Sequence, residues 1–296
     1  MEFRMLSRRR AAAAVAASLL AVSAPLTARA AIVADFTDGN GTALPDQWTG
    51  VAGSGWATAW GSSGSAAGTG VVNTSPLDGG GNYLQFVDNT ATTPAYIRRQ
   101  YATSGDVNIT QPYRISLRYR FDGTMGDFTA FNDRLAIFGD PGAVTSSATS
   151  NTWLVGVAGG NSGASASQSV FPGNWYMYDN NGSTDFATSN MVDTGLALVG
   201  GRVYGITVDV DPTTGTYDAT IDDGVNPAFT ASDLTFRRGA GASSASWFHV
   251  SGNATAATDN SAFSLDGVVI SPVPEPSTAA LLLIGAGLLG RRGRRR

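Results

Sequence analysis

Strict alternation of apolar and polar residues is the feature of this sequence that most restricts its fold. The clearest case is YRISLRYRF, residues 113–121, where every odd-numbered position is aromatic or aliphatic and every even-numbered position is arginine or serine. Because successive side chains of a β-strand point to opposite faces, this pattern predicts a strand with one buried face. No stretch between residues 31 and 270 sustains apolar residues at helical spacing. The sequence therefore predicts an all-β domain.

Ten further short segments have strand-like composition and are bounded by Gly, Asn, Asp, Ser or Pro. They are residues 31–36, 82–87, 95–101, 134–139, 152–158, 174–179, 203–210, 216–222, 246–250 and 263–270. The linker DPTTG, residues 211–215, predicts an antiparallel hairpin. Because open sheets of this many strands tend to split or close, we predict a two-sheet antiparallel β-sandwich.

Two stretches rich in Gly, Ser and Ala, residues 53–70 and 159–169, predict long surface loops, which either carry function or are merely poorly ordered. The order of elements is an early DF strand, a late DVDPTTGTYDATIDDG hairpin and a final FSLDGVVI strand. This order resembles the concanavalin-like (laminin-G-like) jelly roll over most of residues 31–270. The resemblance implies one sandwich domain over residues 31–271.

The first 30 residues have the pattern of an export signal. Arginines precede the apolar run AAAAVAASLLAVSA, and Ala28 and Ala30 supply the small residues of a cleavage site, so we expect cleavage after Ala30. The alternative, a buried N-terminal helix, is disfavoured by the flanking charges. The segment SRRR, residues 7–10, also resembles a twin-arginine motif, which leaves the general and twin-arginine export routes both open.

The last 24 residues, VPEPSTAALLLIGAGLLGRRGRRR, contain a short apolar segment between a proline motif and an arginine cluster. Residues 277–290 are uncharged and would span roughly 21 Å as a helix, whereas a bilayer core of roughly 30 Å needs about 20 residues. The predicted helix is therefore too short for a comfortable permanent anchor, and we expect only transient membrane insertion. The arginines favour a cytoplasmic end.

The three parts of this tail, in this order, resemble the PEP-CTERM sorting signal of Gram-negative bacteria, with Pro274, Glu275 and Pro276 as the motif. The resemblance covers residues 272–296. It implies recognition by an exosortase, removal of the tail near the motif, and delivery to the outer cell surface or the exopolysaccharide matrix. An ordinary single-span anchor is the alternative.

Charge and cysteine content exclude several classes of partner and site. Residues 31–273 carry nine arginines, 21 aspartates, no lysine and no glutamate, which is a net charge of −12. Such a surface repels nucleic acid and anionic membranes, so we expect no nucleic-acid partner. The chain has no cysteine, which excludes disulfides and thiolate metal sites.

The residues for common hydrolytic chemistry are missing from the mature domain. Glycosidases of this fold class typically use paired glutamates, and none precedes Glu275. Asp209 and Asp211 are the nearest acidic pair, but they lie at a Pro-Gly turn that favours a turn role. His249 is the only histidine, and no G-x-S-x-G motif is present. We therefore predict no catalytic residues.

Two kinds of binding site remain in the sequence. Asp35, Asp38 and Asp266 would meet if the terminal strands pair, which predicts a structural Ca²⁺ site; solvated aspartates are the alternative. Exposed aromatic rings stack on sugars. The candidates for glycan contact are Trp56, Trp60, Trp175, Tyr176 and Tyr178, with packing inside the sandwich as the alternative.

Together these observations predict an exported, non-catalytic, lectin-like component of the cell surface or biofilm matrix. Exosortase and exopolysaccharide are the expected partners. An extracellular carbohydrate-active enzyme on the same fold and a purely structural surface protein are the alternatives. The missing glutamates argue against the enzyme, while the sequence leaves the structural protein open.

Overall fold

The computed structural model describes residues 31–38, 48–63, 69–72, 77, 81–87, 95–101, 107–123, 134–140, 152–159, 173–179, 190–237, 247–253 and 261–273. These residues belong to the compact unit Ala30–Val273. The predicted signal helix, the cleavage-site residues Ala28 and Ala30, the PEP motif and the apolar tail helix lie outside the described residues. No helix within the described ranges is long and apolar enough to cross a membrane.

The described residues form fifteen strands. Their bounds are β1 Ile32–Ala34, β2 Gly61–Ser63, β3 Thr69–Val72, β4 Tyr83–Phe86, β5 Ala95–Gln100, β6 Tyr113–Phe121, β7 Arg134–Asp140, β8 Leu154–Ala158, β9 Asn174–Tyr178, β10 Met191–Ala197, β11 Val203–Asp211, β12 Thr216–Asp222, β13 Phe229–Thr235, β14 Trp247–Asn253 and β15 Phe263–Pro272. All eleven predicted strands are present, with small differences at their ends.

The strands form two antiparallel sheets. The eight-stranded sheet has the order β13-β12-β11-β6-β15-β4-β3, and β1 also pairs with β15. The seven-stranded sheet has the order β10-β9-β8-β7-β14-β5-β2. The chain crosses between the sheets after β1, β2, β4, β5, β6, β10, β13 and β14, as in a jelly roll. The predicted two-sheet antiparallel sandwich is confirmed.

The core lies between the inner faces of the two sheets and follows from the alternation seen in the sequence. In β6 the buried positions are the odd-numbered residues, from Tyr113 to Phe121. In β11 the buried positions are the even-numbered residues, from Tyr204 to Val210. The two strands are paired in register, Ile206 with Leu117, so their apolar side chains lie on the same face.

The expectation of a surface loop over residues 53–70 is wrong for residues 61–63 and 69–70, which belong to strands. Gly61–Ser63 forms β2 and pairs with β5, and the side chain of Trp60 is buried. Residues 69–70 begin β3. A chain rich in Gly and Ser still pairs here because the neighbouring strand supplies the backbone partners and Trp60 supplies the buried surface. The second predicted loop, residues 159–169, lies outside the described residues except for Gly159.

Candidate functional site

The seven-stranded sheet has a second face, turned away from the sandwich core, that carries its own cluster of side chains. They alternate along each strand with the core residues, and their apolar members form a separate cluster. We call this surface the outer face. It is defined by Tyr96, Arg98, Arg134, Phe138, Asp140, Tyr176, Tyr178, Asp193, Trp247 and His249, with small residues between them.

A row of small residues crosses the middle of the outer face. Ser251, Ala136 and Gly156 are aligned on neighbouring strands, with Tyr96 at one end of the row and Tyr176 at the other. The ring of Tyr176 lies over Gly156, since a Cβ atom at Gly156 would stand 3.2 Å from the Tyr176 hydroxyl oxygen. The row of small residues is therefore buried between two tyrosines, and the ring of Tyr176 covers Gly156.

Trp247 marks one end of the outer face. The Arg98 guanidinium lies 5.7 Å from the centre of the Trp247 ring, within cation–π distance. His249 is fully buried and stacks on Phe138, with ring centres 4.7 Å apart and an interplanar angle of 8°. Trp247 and Arg98 are only half-buried, so both side chains are partly exposed to solvent.

A second guanidinium–aromatic pair marks the other end. The Arg237 guanidinium lies 5.0 Å from the centre of the Tyr178 ring, and Asn190 donates a hydrogen bond of 3.3 Å to the Tyr178 hydroxyl. Burial raises the pKa of the Tyr176 hydroxyl, and Arg134 and Arg237 act against that rise. Both guanidinium groups therefore lie within electrostatic reach of one tyrosine on this face.

The aromatic residues predicted to contact glycan are mostly buried. Trp175 belongs to the core, where it packs edge-on against Tyr119 and tilts against Tyr204. Tyr176 and Tyr178 lie on the outer face, but their exposed fractions are only 2% and 0%. Because stacking needs an accessible ring face, the expectation of a direct glycan contact is corrected at these three residues, and packing describes them.

The two tryptophans of the glycine-rich segment also have structural contacts. Trp60 is buried and stacks on Phe36, with ring centres 5.8 Å apart, which corrects its expected glycan contact. Trp56 is half-buried, its indole N–H donates to the Val33 carbonyl at 2.9 Å, and the Arg99 guanidinium lies 5.0 Å from its ring centre. Trp56 packs against the core of the sandwich, and its glycan contact stays a prediction.

The sequence analysis missed Trp247. The composition of SWFHV, residues 246–250, predicts a strand, and its lone His249 is interpreted as a structural residue of that strand. The pairing of Trp247 with Arg98 depends on the antiparallel register of β14 and β5, which are about 150 residues apart in the chain. Alternation places Trp247 and His249 on the strand face opposite to Phe248. The sequence therefore indicates that Trp247 and Phe248 cannot both face the core of the sandwich.

The predicted calcium ligands do not form a metal site. The first and last strands do pair, as expected, with Ile32 opposite Ile270. Asp38, however, accepts hydrogen bonds from the backbone N–H groups of Val51 and Ala52, and Asp266 lies opposite Arg118. N–H donors around a carboxylate do not suit a cation. Among the described residues, no three carboxylate or imidazole groups come together as metal ligands.

The acidic pair at the turn has the structural role that the sequence favoured. Asp211 accepts hydrogen bonds from the backbone N–H and the hydroxyl of Thr213, and Asp209 forms a salt bridge with Arg114, with 2.6 Å between the nearest N and O atoms. Burial raises the pKa of Asp211, but the hydrogen bonds from Thr213 and Thr214 outweigh it and lower the pKa overall. The Asp211 carboxyl is therefore stabilised in its charged form by the turn.

Residues 272–296 match the PEP-CTERM protein-sorting motif. This match confirms the resemblance seen in the tail. The motif indicates an exported protein that is sorted to the cell surface, and it implies processing by an exosortase. It covers only the end of the chain and carries no information about the sandwich domain. No curated protein matches the chain.

Several solved structures are similar to the chain at low identity. The VIP36 exoplasmic/lumenal domain bound to Ca²⁺ and Man3GlcNAc is 12% identical, with a TM-score of 0.47 over 74% of this chain and 85% of that one. A GH131 β-glucanase catalytic domain from Podospora anserina is 14% identical, with a TM-score of 0.45 over 70% of this chain and 80% of that one. A sialidase is 11% identical, with a TM-score of 0.46 over 83% of this chain, which spans 19% of the sialidase.

Proposed function

We propose that this protein is a non-catalytic component of the outer cell surface or exopolysaccharide matrix of a Gram-negative bacterium, and that it binds carbohydrate on the outer face of the seven-stranded sheet. The sorting motif at residues 272–296 supports the location. The half-buried Trp247 ring with the Arg98 guanidinium against it is the observation that carries the binding proposal.

The chemistry of the outer face suits a sugar. A tryptophan ring offers an apolar surface to the C–H groups of a pyranose, while arginine and aspartate side chains offer hydrogen bonds to its hydroxyl groups. Arg98 is half-buried beside the Trp247 ring, whereas Asp193 lies five strands away on β10, so it would contact a different sugar of an extended polysaccharide. The proposal includes no catalytic step, because the described acidic residues Asp209, Asp211 and Asp223 are committed to turns and salt bridges.

The binding proposal is tested by titration calorimetry of the purified protein against the producing organism's own exopolysaccharide, in Ca²⁺ and again in EDTA. We expect saturable heat in both buffers. Replacing Trp247 with alanine should weaken binding by about tenfold or more, since loss of a stacked aromatic contact with its cation costs about 1.4 kcal/mol or more.

Arg114→Ala is the matched control, because Arg114 is an exposed arginine on the other sheet, where its side chain pairs with Asp209. Affinity should not change in this variant. Absence of heat in both buffers would leave a purely structural surface protein. New reducing ends in the incubated polysaccharide would instead support the carbohydrate-active enzyme.

The sorting proposal gives a separate prediction about location. A chain that ends at residue 273 should still be exported but should no longer be retained at the surface, because the segment that an exosortase would recognise is missing. Fractionation of producing cells followed by immunoblotting measures the surface-bound share. Glu275→Ala is the finer variant, and equal retention of the truncated and full-length chains would contradict the proposal.

A further inference from the structure

β15 contains a break in its pairing at Gly267. The register with β6 shifts between Asp266 and Val269, and Gly267 has no register partner on β1, β4 or β6. Gly267 is exposed, its φ angle is +59°, and a Cβ atom built on it would meet nothing within 4 Å. The Gly267 amide is therefore left out of the strand register, with open space beside it.

This amide instead contacts the side chain that precedes it. The Gly267 N–H donates a hydrogen bond of 2.6 Å to Oδ1 of Asp266. The Gly267 nitrogen and the Asp266 Cγ are the two atoms that join when this aspartate closes on the chain as a five-membered imide. The contact holds the nitrogen next to that carbon, and a reaction between two groups already held together needs little further ordering.

We propose that Asp266–Gly267 is a site of spontaneous backbone modification, at which the aspartate converts through a succinimide into isoaspartate. The Gly267 nitrogen forms a bond to Cγ of the protonated Asp266 carboxyl, the Cγ–OH bond breaks, and the amide proton leaves with this hydroxyl as water. A second water then opens the ring. Attack at the main-chain carbonyl gives isoaspartate, and attack at Cγ restores aspartate, so no oxidant or cofactor is consumed.

Two other Asp–Gly pairs lie among the described residues, and the hydrogen-bond partners of their carboxylates differ from those of Asp266. Asp122 accepts hydrogen bonds from Arg120 and Ser264. Asp223 accepts hydrogen bonds from the backbone N–H groups two and three residues further along the chain and from Arg202. The amides of the glycines that follow them point elsewhere, because the Gly123 N–H donates to the Ala262 carbonyl and the Gly224 N–H donates to Oδ1 of Asp222.

The surroundings of Asp266 favour the same reaction. Burial raises the pKa of its carboxyl, against the opposing effects of the Gly267 N–H and Arg118. A protonated carboxyl is the better electrophile, because it can lose its hydroxyl as water, whereas a carboxylate would have to expel oxide. Arg118 lies opposite Asp266 on β6, where its positive charge would favour the negatively charged oxygen of the addition intermediate.

The modification would act on a central strand. An isoaspartate adds one atom to the main chain at residue 266, immediately before Gly267, and the next residue, Val268, pairs with Ala34 of β1. Because the pairing of β15 depends on its register, we expect the hydrogen-bonded pairing between β15 and β1 to be less stable in the modified chain. The fraction of isoaspartate at residue 266 would therefore increase with the time that the protein spends outside the cell after export.

The test is incubation of the native full-length protein in H₂¹⁸O at 37 °C, at pH 5 and pH 7.5, followed by peptide mapping with fragmentation that separates isoaspartate from aspartate. Each passage through the imide introduces one ¹⁸O, whichever product forms. We expect ¹⁸O and isoaspartate to accumulate at Asp266 at least about tenfold faster than at Asp122 or Asp223.

Asp266→Glu is the matched variant, because it keeps the charge but would have to close a larger ring. The label should disappear from this position in the variant. The same incubation in denaturant measures the rate without the folded contact. Labelling of Asp266 at the rate of the other two sites, or more slowly in the folded protein than in denaturant, would overturn the proposal.

Discussion

Replacing Arg99 with alanine is expected to lower the free energy of unfolding by about 4 kcal/mol. The Arg99 side chain is buried and donates hydrogen bonds to three backbone carbonyl oxygens, those of Val51, Ala52 and Thr58. Alanine would leave these acceptors without their donor in the interior. Each unsatisfied buried group costs about 1–3 kcal/mol, and the lost packing adds to that cost.

A second set of hydrogen bonds holds the same backbone segment that Arg99 binds. Asp38 accepts hydrogen bonds from the backbone N–H groups of Val51 and Ala52, whose carbonyl oxygens are bound by Arg99. The guanidinium also lies 5.7 Å from the centre of the Trp60 ring. Burial lowers the pKa of Arg99 to about 10, although Asp38 and Asp35 act in the opposite direction. Arg99 therefore ties residues 48–60 to β5.

Chemical denaturation monitored by tryptophan fluorescence measures this loss. Arg98→Ala is the matched control, since Arg98 is the preceding residue on β5, lies on the outer face and is half-buried. We expect it to cost less than about 1 kcal/mol while it weakens carbohydrate binding. Arg99→Lys should lose nearly as much as alanine, because an ammonium cannot reach three separate carbonyls in the geometry of a guanidinium. Equal stability of the Arg98 and Arg99 variants would contradict the prediction.

Alternation predicted most of the sandwich because burial on one face is a local property of a strand. The eleven segments recognised in the sequence include both members of the β11–β12 hairpin and the long strand β6. The missed strands are β2, β3, β10 and β13, in which glycine or polar residues replace much of the apolar face. Their pairing comes from neighbouring strands that are distant in sequence.

The candidate site was harder to predict because it depends on which sheet face each aromatic residue occupies. Within NWYMY, alternation separates Trp175 from Tyr176 but does not say which side is the core. The partnership of Asp38 with residues 51–52 and the register that brings Arg98 to Trp247 are nonlocal in the same way. The residue types indicate which side-chain contacts are chemically possible, whereas the strand order and register determine which side chains meet.

Replacing Asp223 with alanine is expected to cost about 3 kcal/mol at pH 7. The Asp223 side chain is buried at the end of β12, with one carboxylate oxygen 2.7 Å from an Arg202 nitrogen. Burial raises the pKa of this carboxyl, but hydrogen bonds from the backbone N–H groups of Asn226 and Val225, the Asn226 amide and the Arg202 charge outweigh it and lower the pKa to about 2. The charged carboxylate is therefore the form that the fold stabilises.

The pH dependence follows from the direction of that shift. The folded pKa lies below the ordinary value of 3.8, so the contribution of Asp223 is fully present above about pH 4 and is lost as the pH falls through about 2. Urea denaturation between pH 2 and pH 7 should show a shallower fall in stability for Asp223→Ala than for the natural protein. Asp222→Ala is the control, because the neighbouring Asp222 is exposed and its carboxylate accepts a hydrogen bond from the Gly224 N–H. If the two variants had the same pH profile, the stabilising charge would have to lie elsewhere than in the Asp223 carboxylate.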